Sequence, residues 1–460
     1  MNTIPLAPIG NVGGYQDKPF LAPPSILTAK GLDPFINPGV LEPAFLEEKF
    51  GDPFLPEYAF DSNIIAIIYK DGVDAYIVTS NKIYTLNLST GDYSPHATIS
   101  GCRNAIVFNG YVYFANTTHL GRMEISTGTV NATWNSFSLI TIHRPMVIQN
   151  KVLYIGNKYW VSIVDEAGVF VADALDIPTE LYITALYEYG NEVYIGAENS
   201  TEKSEVKTFR WNTWSESFSM EAKLYEDYLF GFFVVDGRMY LCTGSEESAK
   251  IYSYSEPTPI LYTTIPLKEG IIRYGPNIFC ERNGKVYIAV SYQASRGNID
   301  GGVWVFGSVS SGSNPILVHM HGLPEDSILA TNVVVTCICP SKDRLYYGYK
   351  VGTTYGIARV SNVNKRVDFF LSTSYVDLTR GESTLPIARI QCTNLGDASS
   401  ASLRAYKDAG TSYTTQTLTK NIPLNMFESE GCMEEGAFHK IEVSGFLYGN
   451  AIRGIDILFN

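Results

Sequence analysis

Over residues 60–372 the apolar positions come as pairs of short runs, each pair split by a turn signal. Ala105-Ile106-Val107-Phe108 is followed by Asn109-Gly110 and then by Val112-Tyr113-Phe114. Asn-Gly and Asp-Gly supply the positive φ angles of a type I′ turn, so the pattern predicts a β-hairpin. Runs this continuously apolar imply strands covered on both faces. The same unit recurs along the chain. Asp71-Gly72, Asn109-Gly110, Asn150-Lys151, Gly190-Asn191, Asp236-Gly237, Asn283-Gly284 and Lys342-Asp343 each precede an apolar strand centred on a tyrosine. The tyrosines are Tyr76, Tyr113, Tyr154, Tyr194, Tyr240, Tyr287 and Tyr346, spaced 37, 41, 40, 46, 47 and 59 residues apart.

A strand-built repeat of roughly 40–50 residues is the signature of a propeller blade. A second turn sits in register with the first: Gly91 and Gly128 each lie 15 residues after their tyrosine, and Gly168 lies 14 after Tyr154. Outer strands such as Thr85-Leu86-Asn87-Leu88 and Arg122-Met123-Glu124-Ile125 are more polar. The expected fold is an all-β, seven-bladed β-propeller over residues 61–372, with the tyrosines at equivalent places on each second strand. A complete four-stranded first blade and a complete last one, ending in Lys365–Leu371, would let the ring close without strand exchange.

Both flanks break the repeat. Residues 1–60 form an extended, proline-rich N-terminal arm, with 10 of the 22 prolines before residue 57. Proline cannot pair within a central strand. Yet Phe20, Phe35, Ile36, Leu41, Phe45, Phe50 and Phe54 make the arm too apolar for a solvated tail. It must lie on a surface, its own or a neighbouring subunit's, and Pro43–Lys49 has the composition of one helical turn. Residues 373–460 show alternation in Ile387-Ala388-Arg389-Ile390-Gln391 and Arg453-Gly454-Ile455-Asp456-Ile457. Strands are expected at Ile387–Thr393, Ser402–Tyr406, Thr414–Leu418, Lys440–Val443 and Ile452–Phe459, as a small C-terminal antiparallel β-sandwich.

Charge and chemistry narrow the function. The net charge of −13, with no long basic run, argues against a phosphate-gripping surface. The seven cysteines are thinly spread and read as reduced thiols. Met1-Asn2-Thr3-Ile4-Pro5 lacks the basic-then-apolar pattern of a secretory signal, and no apolar run is long enough to insert in a membrane. His319 and His321 would share one strand face, but no third metal ligand is fixed, so they are expected as surface histidines near a loop. Gly297–Gly302 has one acid where a calcium loop needs several. The nucleophile-elbow and His-Glu-x-x-His motifs are missing. Trp211 and Trp214 flank a turn and are expected to pack on an outer strand. No catalytic residue, metal or cofactor emerges.

Two regions carry a family likeness. One is the opening, with Asn11-Val12-Gly13-Gly14 and Pro38-Gly39-Val40-Leu41-Glu42-Pro43 leading into the first blade. The other is the closing module, with Ile387-Ala388-Arg389-Ile390 and Ile452-Arg453-Gly454-Ile455-Asp456-Ile457. This order of parts resembles the tail propeller proteins, of nozzle or adaptor type, of double-stranded DNA bacteriophages. The resemblance implies a non-enzymatic virion structural protein, assembled in the host cytoplasm as a multi-copy ring around the DNA exit path. Its partners would be copies of itself and other tail or connector proteins, with only transient, non-specific contact with passing DNA. The alternatives are a receptor- or glycan-binding propeller module using rim loops such as Ser291–Gly302, and a propeller hydrolase or lyase.

Overall fold

Type I′ turns set the local structure at five of the seven places where the repeat predicts them. Asn109 and Gly110 have φ of 46° and 79°, Asn150 and Lys151 48° and 61°, and Gly190 and Asn191 60° and 67°. Asp236 and Gly237 follow at 50° and 73°, and Asn283 and Gly284 at 53° and 71°. Both central residues are therefore left-handed in each, as a I′ turn demands. The glycines of the second turn, Gly91, Gly128 and Gly168, also have positive φ, at 83°, 72° and 81°.

These turns belong to a computed structural model. It describes residues 2–8, 26–36, 41–49, 60–69, 74–199, 205–215, 217–245, 248–254, 257–266, 277–290, 302–309, 314–322, 334–340, 344–366, 368–373, 376–377, 387–392, 399–407, 413–422, 426–429, 438–447 and 452–459. The turn pairs Asp71-Gly72 and Lys342-Asp343 lie outside the described residues, as do Phe20, Phe50, Phe54 and Cys432. The protein is all-β, with no α-helix among the described residues. The chain packs as two units. One gathers Met1–Glu48, Gly302–Ala330 and Val360–Asn460; the other gathers Lys49–Gly301 and Thr331–Arg359.

The second unit is a succession of antiparallel sheets. The first sheet comprises Ile64–Tyr69, Asp74–Thr79, Lys82–Asn87 and Tyr93–Thr98; the second, Asn104–Phe108, Tyr111–Ala115, His119–Glu124 and Val130–Ser136. The third is Met146–Gln149, Val152–Asn157, Trp160–Val164 and Phe170–Asp176; the fourth, Leu181–Tyr189, Glu192–Asn199, Val206–Trp211 and Ser219–Leu224. The fifth is Tyr228–Val235, Arg238–Gly244, Ser248–Ser253 and Ile260–Pro266. In each of the five, strands pair in chain order. Two further hairpins follow, Phe279–Arg282 with Lys285–Val290 and Val334–Pro340 with Leu345–Val351.

Each sheet buries one apolar face against the next. Val78 and Ile83 pack with Val112 and Phe114, and Tyr113 and Leu120 with Leu153 and Ile155. Tyr154 and Val161 pack with Val193 and Ile195, and Tyr194 and Val206 with Leu229 and Leu241. The Phe233 and Phe279 ring centroids lie 5.4 Å apart, and Ile338 donates to the Asn277 carbonyl at 2.7 Å. The succession then returns to its start, where Cys337, Tyr346 and Ile357 pack with Ile64, Ile67 and Ile77.

In the first unit the strands follow one hydrogen-bonded path. Its order is Asn2–Pro8, Ile452–Phe459, Ile387–Cys392, Met426–Ser429, Tyr413–Asn421, Ser400–Lys407, Phe438–Phe446, Asp368–Thr373, Ile26–Lys30, Ile316–His321 and Gly302–Gly307. The expected C-terminal strands are all present, and Met426–Ser429 and Val376–Asp377 are additional. The packing limits of this unit fall after residues 48 and 359. The reason is pairing: Ile26–Lys30 joins Ile316–His321 in parallel and Asp368–Thr373 antiparallel, which draws three distant segments together.

Three local expectations change. Phe45–Lys49 is a strand, not a helical turn, because it hydrogen-bonds the long strand that ends at Lys365. Lys365–Leu371 is not a fourth strand beside its predecessor. The long strand ends at Lys365, and Asp368–Thr373 pairs with Phe438–Phe446. Strand exchange, expected to be unnecessary, does occur, since the sheet of Val334–Pro340, Leu345–Val351 and Thr354–Lys365 takes Phe45–Lys49 as its last member.

Candidate functional site

The repeat tyrosines are structural groups before they are anything else. Tyr76, Tyr113, Tyr154, Tyr194, Tyr240 and Tyr346 are buried on the second strand of their hairpins, and Tyr287 is half-buried there. Five form the third residue pair from the turn: Tyr113 with Ile106, Tyr154 with Val147, Tyr194 with Tyr187, Tyr240 with Phe233 and Tyr287 with Cys280. Burial holds the phenols of Tyr113, Tyr154 and Tyr240 above their ordinary range, so they are neutral. Tyr76, Tyr113, Tyr154, Tyr194 and Tyr346 each belong to a separate core cluster shared by two sheets.

A feature the sequence reading missed sits two residues further on. Tyr154-Ile155-Gly156, Tyr194-Ile195-Gly196 and Tyr346-Tyr347-Gly348 place a glycine where the next sheet arrives. A Cβ at Gly156 would lie 2.9 Å from Ile183 Cγ2, at Gly196 2.4 Å from Leu229 Cδ2, and at Gly348 2.9 Å from Ile64 Cβ. Ile183 and Leu229 belong to the sheet that follows, and Ile64 to the first. The signal was legible as a Tyr-x-Gly echo in three of the seven repeats.

Polar groups buried in the sheets are also committed. Arg144 donates to the carbonyls of Asn116 (3.0 Å), Thr117 (2.7 Å) and Leu139 (2.9 Å) and to Asn157 Oδ1 (2.6 Å), with its guanidinium 3.8 Å from the Phe137 ring centre. Burial pulls its pKa down to about 9, so it remains charged at neutral pH. Burial pushes the thiols of Cys102, Cys280, Cys337, Cys339 and Cys392 up to about 12, which removes them as nucleophiles.

In the first unit a buried ionic cluster fixes the arm. Glu47 Oε1 accepts from His321 Nδ1 at 3.0 Å and from the Gly322 amide at 3.2 Å. Its other oxygen takes a bond from Arg366 Nη1, and Arg366 Nε reaches Asp368 Oδ1 at 2.9 Å. Glu47 is fully buried and Arg366 is 2% exposed. Around this core the Arg366 amide donates to the Ala44 carbonyl at 2.8 Å, Asn364 to Glu48 at 3.0 Å, and Lys365 pairs with Glu42. The expectation of surface histidines is corrected: His319 and His321 are buried, because Ile316–His321 is an interior strand. The Trp304 and His319 ring centroids lie 5.3 Å apart. Among the described residues no group of three or more His, Cys, Asp or Glu is placed to hold a metal ion.

The arm residues divide in consequence. Leu41 is fully buried and Phe35 nearly so, Phe45 is half-buried beneath Lys365, and Ile36 is 39% exposed. The described arm therefore packs on its own chain at Leu41, Phe35 and Phe45, one of the two surfaces expected for it. The tryptophans divide too. Trp211 is buried, donates to the Ser215 carbonyl at 2.7 Å and meets Tyr154 edge-on, as expected. Trp214 does not pack; it is 85% exposed, near Tyr225 in sequence, which is 80% exposed. The loop Ser291–Gly302 lies outside the described residues apart from Gly302.

No protein-family model matches the chain, and no characterised protein sequence matches it. Solved structures do match. The N-terminal domain of Nup159 has 9% identity, covers 69% of this chain and 96% of its own, and gives a TM-score of 0.43. The β-propeller domain of Cps50 (Swd1) from Myceliophteria thermophila has 8% identity over 66% of this chain and 98% of its own, at a TM-score of 0.44. The extracellular domain of a two-component system protein from B. thetaiotaomicron has 12% identity over 81% of this chain and 47% of its own, at 0.48.

Proposed function

We propose that this chain is a non-enzymatic assembly protein, built on a seven-bladed β-propeller with the C-terminal strands as a small sandwich, and that it works in several copies around an axis. The particular form we favour is a nozzle- or adaptor-type subunit of a bacteriophage tail, which rests on the likeness carried by the opening and closing segments. The observation that supports an assembly role is how the buried polar groups are spent. Glu47, Arg366, Asp368 and His321 hold the arm to its unit, and Arg144 holds loops between sheets. These groups serve architecture, and the sheet boundaries around them are apolar.

A ring through which DNA passes must not grip phosphate, and a net charge of −13 suits that. The native mass at micromolar concentration tests the reading. A closed multi-copy ring is expected, and a monomer would refute it. DNA should bind weakly at physiological salt, and submicromolar binding with a steep salt slope would count equally against it.

One observation favours a second reading, a glycan- or receptor-binding module. Trp214 and Tyr225 are large aromatic groups left in water, and such side chains are strong contact anchors. A glycan array on wild type and Trp214→Ala separates the two readings. Binding lost with the tryptophan would favour the module.

A further inference from the structure

We infer that the strand Asn2–Pro8 is an exchangeable donor strand, and that in the assembly it pairs with Ile452–Phe459 of a second copy of this chain. The inference rests on the multi-copy reading above and names the contact that would join neighbours.

Four observations carry it. First, Asn2–Pro8 is at the end of its sheet path and, among the described residues, is hydrogen-bonded to Ile452–Phe459 alone. Its departure breaks no other strand pair among the described residues. Second, its pairing is interrupted. Pro5 and Pro8 have no N–H to donate, and the register slips between Pro5 and Ala7.

Third, the next described strand, Ile26–Lys30, is held on both sides, by Asp368–Thr373 and Ile316–His321. Further on, Leu41 and Ile452 exchange backbone bonds of 2.8 and 2.9 Å, and Glu47 is clamped by Arg366. Among the described residues of the arm, Ile26–Lys30, Leu41 and Glu47 are thus fixed in their own fold, whereas Asn2–Pro8 has a strand partner on one side. Fourth, Asn2–Pro8 and Ile26–Lys30 are consecutive strands, yet eight strand-to-strand steps separate them along the path. At about 4.8 Å per step this is roughly 38 Å of sheet. Residues 9–25 between them can reach at most about 60 Å when extended. That length allows the strand to stay at home and equally to reach a neighbour.

Exchange keeps the whole register, Asn2 opposite Phe459 through Pro8 opposite Gly454, because a second copy presents the same edge. Passing the strand from each copy to the next is a heterologous contact, which closes into a ring when the rotation permits. The empty edge of Ile452–Phe459 would otherwise be an aggregation site, so the donor also protects it.

The test uses the facing pair Thr3 and Leu458. Facing residues of an antiparallel pair have Cβ atoms about 4.5–5.5 Å apart, close enough for a disulfide after small adjustment. Full-length Thr3→Cys and Leu458→Cys are co-expressed with different tags, assembled and oxidised, with wild type as the control for native thiols. A disulfide-linked dimer carrying both tags is expected, and the double variant in one chain should give a covalent ladder. Two results overturn the proposal. If the native protein is multi-copy but the double variant links only within one chain, or not at all, the donor strand is wrong while the assembly reading stands. If the native protein is monomeric and the link forms within one chain, both fall together.

Discussion

Replacing Glu47 by glutamine should unlock the arm from its unit, and the size of the effect can be worked out. Glu47 is fully buried, accepts from His321, Gly322 and Arg366, and faces a guanidinium that is itself 2% exposed. Glutamine keeps the shape and one acceptor oxygen but removes the charge that Arg366 was buried against. Breaking a buried pair from one side costs about 3–5 kcal/mol, because the remaining charge is left uncompensated. Arg366 retains Asp368 at 2.9 Å, so the lower end applies, about 3 kcal/mol. A unit of this size shifts by about 2–4 °C per kcal/mol, which gives a drop of about 6–12 °C in its melting transition.

Calorimetry on the full chain reads that transition, and the second unit's transition serves as internal reference. A double variant, Glu47→Leu with Arg366→Met, should recover most of the loss, since apolar replacement of a whole buried pair is near neutral. Adding salt should change the shift little, because buried pairs are poorly screened. A shift under 2 °C for Glu47→Gln, or a double variant no better than the single, would refute the reasoning.

Three other outcomes follow from the sheets. Gly348→Ala should cost about 1–3 kcal/mol by overpacking, because the new methyl meets the stiff Ile64 Cβ at 2.9 Å; urea unfolding measures it, and a neutral result would remove the close-approach argument. Gly110→Ala should cost about 1–2 kcal/mol for a different reason: its φ is +79° with open space around it, so Gly110→Asn should recover part of the loss where Gly348→Asn should not. His143 is held down to about 4 by burial and by Arg103, against 6.5 when unfolded. The unfolded chain therefore takes up this proton first, and the stability present above pH 6.5 is lost as pH falls toward 4. At pH 5 the loss is about 1–2 kcal/mol for a partly exposed ring. His143→Gln should flatten that limb, and an unchanged pH profile would exclude His143 as its source.

What the sequence carried legibly was local. The turn pairs were readable because a I′ turn leaves a chemical mark in two adjacent residues, and Asn109-Gly110, Asp236-Gly237 and Asn283-Gly284 adopt the φ values that mark implies. The strands Ile452–Phe459 and Leu345–Val351 were readable from apolar patterning alone. The tyrosines were readable as a repeat, but their role at the boundary with the next sheet was not, because periodicity reports position and not partner.

What was illegible was set by partners far along the chain. Phe45-Leu46-Glu47-Glu48-Lys49 has helix-forming composition, yet it is a strand because its hydrogen bonds go to the chain near Lys365. Glu47 and Arg366 are 319 residues apart, and nothing local to either predicts the other. Lys365–Leu371 read as one strand from Val367, Phe369, Phe370 and Leu371, while the structure ends one strand at Lys365, spends Arg366 on Glu47 and Asp368, and starts the next strand at Asp368. The repeat thus accounts for the sheets and is silent on what fastens residues 1–48 within their own unit. Those fastenings are two-sided at Ile26–Lys30, ionic at Glu47, and one-sided at Asn2–Pro8. A graded attachment of this kind suits a segment that must fold with its own chain and yet release one strand to a neighbour. For that reason the search for contacts between copies should begin at the Ile452–Phe459 edge, where an exchanged strand would keep its whole register.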